Sequence, residues 1–129
     1  MSLTRQTCRR AALAALAFLA SAAFAPSGGF AHAFLDHALP SVGSTVHGSP
    51  GEVTVWFTQE IEPAFSNLRV VDQNGAQIDK QNNAVDPSDR TVMKVSLPKL
   101  PPGKYKVFWH VLSVDTHTTD GTFSFEVAP

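Results

Sequence analysis

From residue 104 the chain reads Lys-Tyr-Lys-Val-Phe-Trp-His-Val. Tyr105, Val107, Trp109 and Val111 fall on one side of a two-residue period, and Lys104, Lys106, Phe108 and His110 on the other. A helix would scatter these apolar residues around its axis, whereas a strand puts them on one face and leaves the lysines outside. The segment just upstream, Leu100-Pro101-Pro102-Gly103, cannot continue a strand or a helix. Pro-Pro-Gly followed two residues later by Tyr105 resembles the tyrosine corner of Greek-key sandwiches, in which a tyrosine near a strand start hydrogen-bonds to the backbone behind it.

The same period recurs along the chain. At 52–58, Val53, Val55 and Phe57 alternate with Thr54 and Trp56. Residues 68–72 read as a second strand, ended by an Asn74-Gly75 turn that residues 76–80 leave as a return strand. A polar stretch at 81–90 reads as a loop, followed by a strand at 91–97 with Met93, Val95 and Leu97 on one face. The last strand, 122–127, alternates Phe123, Phe125 and Val127 with Ser124 and Glu126, after a polar loop at 113–121. Trp56 and Trp109 are expected in the core. No helix of useful length and no repeat is present. The expected fold is all-β, an immunoglobulin-like Greek-key β-sandwich, and the same pattern also suits a small barrel.

The N-terminus has a different character. Arg5, Arg9 and Arg10 precede an apolar run at 11–25 that is shorter than a membrane span and ends in small residues, the organisation of a cleaved signal peptide. Ala23-Phe24-Ala25 and Gly29-Phe30-Ala31 both carry small residues at −3 and −1, but Pro26 follows the first. Cleavage is therefore expected between Ala31 and His32, giving a signal peptide at 1–31 and a domain at 32–129 that starts on histidine. Arg9-Arg10 does not distinguish the general export route from the twin-arginine route.

Removal of the signal changes the chemistry on offer. The domain keeps seven Lys and Arg against eleven Asp and Glu, a formal charge of −4. That balance disfavours nucleic acid. Cys8, the only cysteine, leaves with the signal, so the domain has neither a disulfide nor a thiolate metal site. No membrane span remains, and a monomer is expected.

Histidines are the remaining candidates: His32, His37, His47, His110 and His117. A histidine at a free N-terminus offers its α-amine and ring Nδ1 to one ion as a six-membered chelate. In Asp115-Thr116-His117, an extended backbone would point the carboxylate and the imidazole the same way. Together they make a set of two imidazoles, an amine and a carboxylate. In a tetragonal arrangement that set suits Cu(II), which also stands highest in the usual order of divalent affinities; Zn(II) would bind it tetrahedrally and less tightly. His37 and His47 are expected on the surface. His110 either hydrogen-bonds near the site or is an ordinary surface histidine.

Several segments carry a family resemblance. His32-Ala33-Phe34-Leu35, Phe57-Thr58-Gln59, Leu-Pro-Pro-Gly-Lys-Tyr at 100–105, and the block from Trp109 through Ser113-Val114-Asp115-Thr116-His117 to Gly121-Thr122-Phe123-Ser124-Phe125 resemble the CopC family of periplasmic copper-resistance proteins. The likeness runs over essentially all of 32–129. It implies a periplasmic Cu(II) carrier whose ligands are His32, Asp115 and His117, with an inner-membrane copper-transport protein as partner. The chain departs from the family in two ways. Some members have Glu where this chain has Gln59, followed here by Glu60. Others carry a methionine-rich loop for Cu(I), whereas here only Met93 remains once Met1 is removed.

Two other functions use the same residues. An N-terminal histidine with a second histidine also forms the copper brace of oxidative enzymes acting on polysaccharide, though Asp115 would occupy one coordination position. An adhesion sandwich with incidental histidines would bind no copper tightly.

Overall fold

The computed structural model describes residues 32–129; the signal peptide read at 1–31 lies outside the described residues. Within these described residues eight strands form two four-stranded sheets. One sheet has the order β1 (Leu35–Leu39), β3 (Glu52–Phe57), β6 (Asp89–Ser96), β5 (Ala84–Asp86). The other has the order β2 (Thr45–His47), β8 (Thr118–Ala128), β7 (Gly103–Leu112), β4 (Asn67–Val71). The β3–β6 and β4–β7 pairs join strands three apart in the chain, the long-return pairing of a Greek key. β2 pairs parallel to β8 along the edge. Among the described residues no helix is long and apolar enough to cross a membrane.

The alternation of the sequence becomes the interior. Tyr105, Val107, Trp109 and Val111 of β7 are buried, as are Val53, Val55 and Phe57 of β3 and Phe123, Phe125 and Val127 of β8. Met93, Val95 and Leu97 join the same cluster. Trp109 meets the Phe57 ring edge-on at 5.5 Å, joining the two sheets. Its indole lies over Gly121, its cross-strand partner; a Cβ there would sit 2.5 Å from Trp109 Cζ2, so only glycine fits. The tyrosine corner forms as expected, with Tyr105 Oη donating to the Pro101 carbonyl at 2.5 Å.

Four expectations need correction. Residues 76–80 do not form a return strand; only a Val71–Gln77 bridge remains. The buried Asp79 carboxylate takes its place, accepting the Val70 and Gln81 N–H groups at 2.8 Å each. The polar stretch at 81–90 hides β5, which turns tightly into β6 where Asp86 Oδ1 accepts the Ser88 N–H and hydroxyl. The loop at 113–121 is shorter than read, because β8 starts at Thr118 and pairs back to Leu112. Trp56 lies half-buried on the outer face of its sheet, stacked on the His37 ring at 4.3 Å.

Candidate metal centre

The β7–β8 hairpin carries two of the three residues. Its turn closes through Ser113 N–H to the His117 carbonyl and Thr116 N–H to the Ser113 carbonyl, both 2.9 Å. Thr116 has φ of 74°, a left-handed conformation that costs a β-branched residue about 1–3 kcal/mol. The expected extended Asp-x-His is thus a tight turn, and the turn itself puts the two side chains on one side. His117 Nδ1 stands 3.4 Å from Asp115 Oδ1.

Asp115 is anchored from beneath. Ser113, 1% exposed, donates its hydroxyl to Asp115 Oδ1, and the His117 N–H points at the same oxygen from 3.3 Å. The Ser113 hydroxyl above all, then the His117 N–H and ring, hold the Asp115 carboxyl below the usual carboxylate range; partial burial pulls the other way without reversing the direction. The side chain is therefore anionic at any pH where imidazole is neutral.

His32 reaches the same place from the other end of the domain. Its arm crosses the end of the sandwich and is held by both sheets. Beyond β3, Thr58 accepts the Phe34 N–H on Oγ1 at 3.0 Å, donates that hydroxyl to the His32 carbonyl at 3.2 Å, and gives its own N–H to the Phe34 carbonyl at 2.8 Å. From β8, the Thr119 hydroxyl donates to the Ala33 carbonyl. Ala33 is fully buried in the core. The His32 and His117 ring centroids are 4.4 Å apart. His32 Nδ1 is buried and has no hydrogen-bond partner.

Among the described residues, His32, Asp115 and His117 are the one group of three such side chains whose ligand atoms all lie within 4.8 Å of one another. A buried imidazole nitrogen without a partner is costly unless something accepts its lone pair, which a metal ion does. The donor set, two imidazoles and a carboxylate, fits a borderline divalent ion.

The remaining histidines are elsewhere. His37 is exposed, with Nδ1 2.7 Å from Asp36 Oδ2, and His47 is exposed on β2. His110 is exposed on the outer face of β7, opposite Asn67 and Asp120. Glu60 contributes its carbonyl, which accepts the Val114 N–H at 3.1 Å, and its carboxylate is not in the cluster. Thr58, Ser113 and Thr119 were not singled out in the sequence as residues of the site. Thr58 and Ser113 sit inside its recognisable motifs, but nothing in the spacing of Thr119 marks it.

Known proteins resemble this one along most of its length. The CopC domain profile matches residues 35–128. Protein YobA of Escherichia coli is 34% identical over 114 residues, covering 88% of this chain and 91% of its own. The copper transport protein CutJ of Bacillus subtilis is 29% identical over 105 residues; the match covers 81% of this chain but 19% of CutJ. The crystal structure of CopC from Methylosinus trichosporium OB3b superposes with a TM-score of 0.72 at 32% identity, over 76% of this chain and 95% of that one. PcoC, a methionine-rich copper resistance protein of Escherichia coli, superposes with a TM-score of 0.66 at 26% identity, over 75% and 99%. A profile that spans all eight strands, and the same sandwich in a solved relative, make the chain a member of the CopC family.

Proposed function

We propose that this protein is a periplasmic copper-binding protein that carries one Cu(II) in copper resistance or homeostasis. The signal peptide at 1–31 is removed and His32 becomes the first residue. Its α-amine and Nδ1 chelate the ion from one side, and Asp115 and His117 complete the set from the hairpin. The observation that carries this reading is the buried, unpartnered His32 Nδ1 in a cluster with Asp115 and His117. Copper is the cargo, and the relatives named for copper resistance and copper transport support that choice.

The chain's own residues orient and tune the site. Ser113 keeps Asp115 ionised and aimed; the Thr116 turn sets the Asp115–His117 spacing; the clamped arm delivers His32. Charge and ligand type favour Cu(II), and Met93, the one methionine among the described residues, is buried in the core cluster. The carboxylate also favours carriage over the oxidative chemistry of a histidine brace. An inner-membrane copper-transport protein is the proposed recipient, and the likeness to part of CutJ supports a partner of that kind.

Copper titration of the exported protein, with its first residue verified by intact mass, tests the reading. Asp115→Ala and His117→Ala should each weaken Cu(II) binding by at least about tenfold, a difference of roughly 1.4 kcal/mol. Binding as tight as the native protein's in both variants would overturn it.

A further inference from the structure

Two threonines, one from each side of the sandwich, hold the only part of the site that is not on the hairpin. Thr58 follows β3 of one sheet, and Thr119 lies on β8 of the other. The Thr58 hydroxyl works in both directions, donating to the His32 carbonyl and accepting the Phe34 N–H. Thr119 holds the carbonyl of the residue between them, Ala33. Three successive residues of the arm therefore have backbone groups fixed by threonine side chains, and the middle one is sunk in the core.

A chain end is ordinarily the least ordered part of a domain. A ligand on such an end must lose its conformational freedom when metal binds, and that loss subtracts from affinity. Here the backbone of that end is already hydrogen-bonded at three successive residues in the folded protein. Thr119 also ties the arm to the strand that leaves the Asp115–His117 turn, so both halves of the site share one support.

We propose that Thr58 and Thr119 are positioning residues of the metal site, which pre-organise the N-terminal arm so that His32 meets the ion without an ordering step. The inference rests on the copper-binding reading above, with His32 as a ligand. It also gives the arm a fixed register: with Ala33 seated and both its flanking groups bonded, residue 32 alone is brought to His117.

Replacing Thr58 by Val keeps the branched shape and removes both side-chain hydrogen bonds, whereas Ser keeps the hydroxyl. In the metal-free protein, Thr58→Val should speed hydrogen exchange at the Phe34 amide, which loses its acceptor. Cu(II) affinity should fall about tenfold, in the range seen when groups that orient metal ligands are removed. The electron paramagnetic resonance spectrum at saturation should stay native, because the ligands are unchanged. Thr58→Ser should bind within about twofold of native, consistent with a retained hydrogen bond. Thr119→Val should reproduce the loss of affinity from the other sheet, and serves if Thr58→Val does not fold. Native affinity in Thr58→Val despite faster exchange at Phe34 would overturn the inference, as would an equal loss in Thr58→Val and Thr58→Ser. His117→Ala, measured alongside, separates the two ideas. Loss in His117→Ala without loss in Thr58→Val or Thr119→Val contradicts only the clamp, and native binding in His117→Ala contradicts the site.

Discussion

The imidazoles of His32 and His117 meet with ring centroids 4.4 Å apart, although one residue opens the described chain and the other sits in its last hairpin. Folding the sandwich is what brings them together. Among the described residues the β7–β8 hairpin is the longest pairing, ten residue pairs from Gly103–Val127 to Leu112–Thr118, and Asp115 and His117 sit in its turn. The arm is a short extension of β1 whose position depends on hydrogen bonds to both sheets. Half of the site is thus built into the sheet, and the other half is fastened to it.

Tyr105 offers a test of the fold that is independent of copper. Tyr105→Phe keeps the stack on Phe125 and removes the bond to Pro101, so stability should fall by roughly 1–3 kcal/mol. Burial, with the Asp72 charge adding to it, raises the Tyr105 phenol above its ordinary value. The folded protein therefore keeps this proton in alkali where the unfolded chain releases it, and stability falls as pH rises above about 10. Tyr105 is the only tyrosine, so tyrosinate absorbance follows it alone and should lag behind a free phenol until the protein unfolds. Denaturant titration of Tyr105→Phe should show the loss at neutral pH and a weaker alkaline decline.

Gly121 should be intolerant of any side chain. A Cβ at that position meets the Trp109 indole, which is wedged between its own sheet and Phe57. Gly121→Ala should cost about 1–3 kcal/mol, the usual range for overpacking a filled core. The unfolding midpoint measures this, and Trp109 fluorescence should shift with it.

The strands that build the sandwich core were legible because their side chains obey a two-residue period, and Pro-Pro-Gly-Lys-Tyr announced the corner. β5 was not, because three edge residues in a polar stretch carry no period, and the turn that closes it is made by Asp86 and Ser88. The missing return strand was equally hidden. Asp79 reads as an ordinary loop acid, and only the fold shows its carboxylate standing in for a neighbouring strand at Val70. For the candidate site, imidazole and carboxylate chemistry singles out His32, Asp115 and His117 in the sequence, and the fold brings these three side chains together. The support was harder to read: Thr58 and Thr119 act through hydroxyl groups on distant backbone, and such contacts leave no spacing in the sequence.

Cu(II) binding should weaken as pH falls, because imidazole and amine donors bind a metal only in their neutral forms. Asp115 does not set this limit. Its carboxyl is held below the usual carboxylate range, so it stays ionised in mildly acidic solution. For the metal-free fold, the stabilising Ser113–Asp115 contact is present above the ordinary carboxylate value and is lost only as pH falls through the lowered one. Competition titrations across pH should therefore show copper released well before the sandwich unfolds, with circular dichroism following the fold in the same samples.

In the proposed site the amine and ring of residue 32 form one end. Adding a single residue before His32 leaves every side chain in the cluster intact and turns the amine into an amide. Cu(II) affinity should then drop at least about tenfold, roughly 1.4 kcal/mol, with a changed electron paramagnetic resonance spectrum. An extended protein that binds Cu(II) as tightly as the native one, with the same spectrum, would rule out the N-terminal chelate and send the ion to another set of ligands.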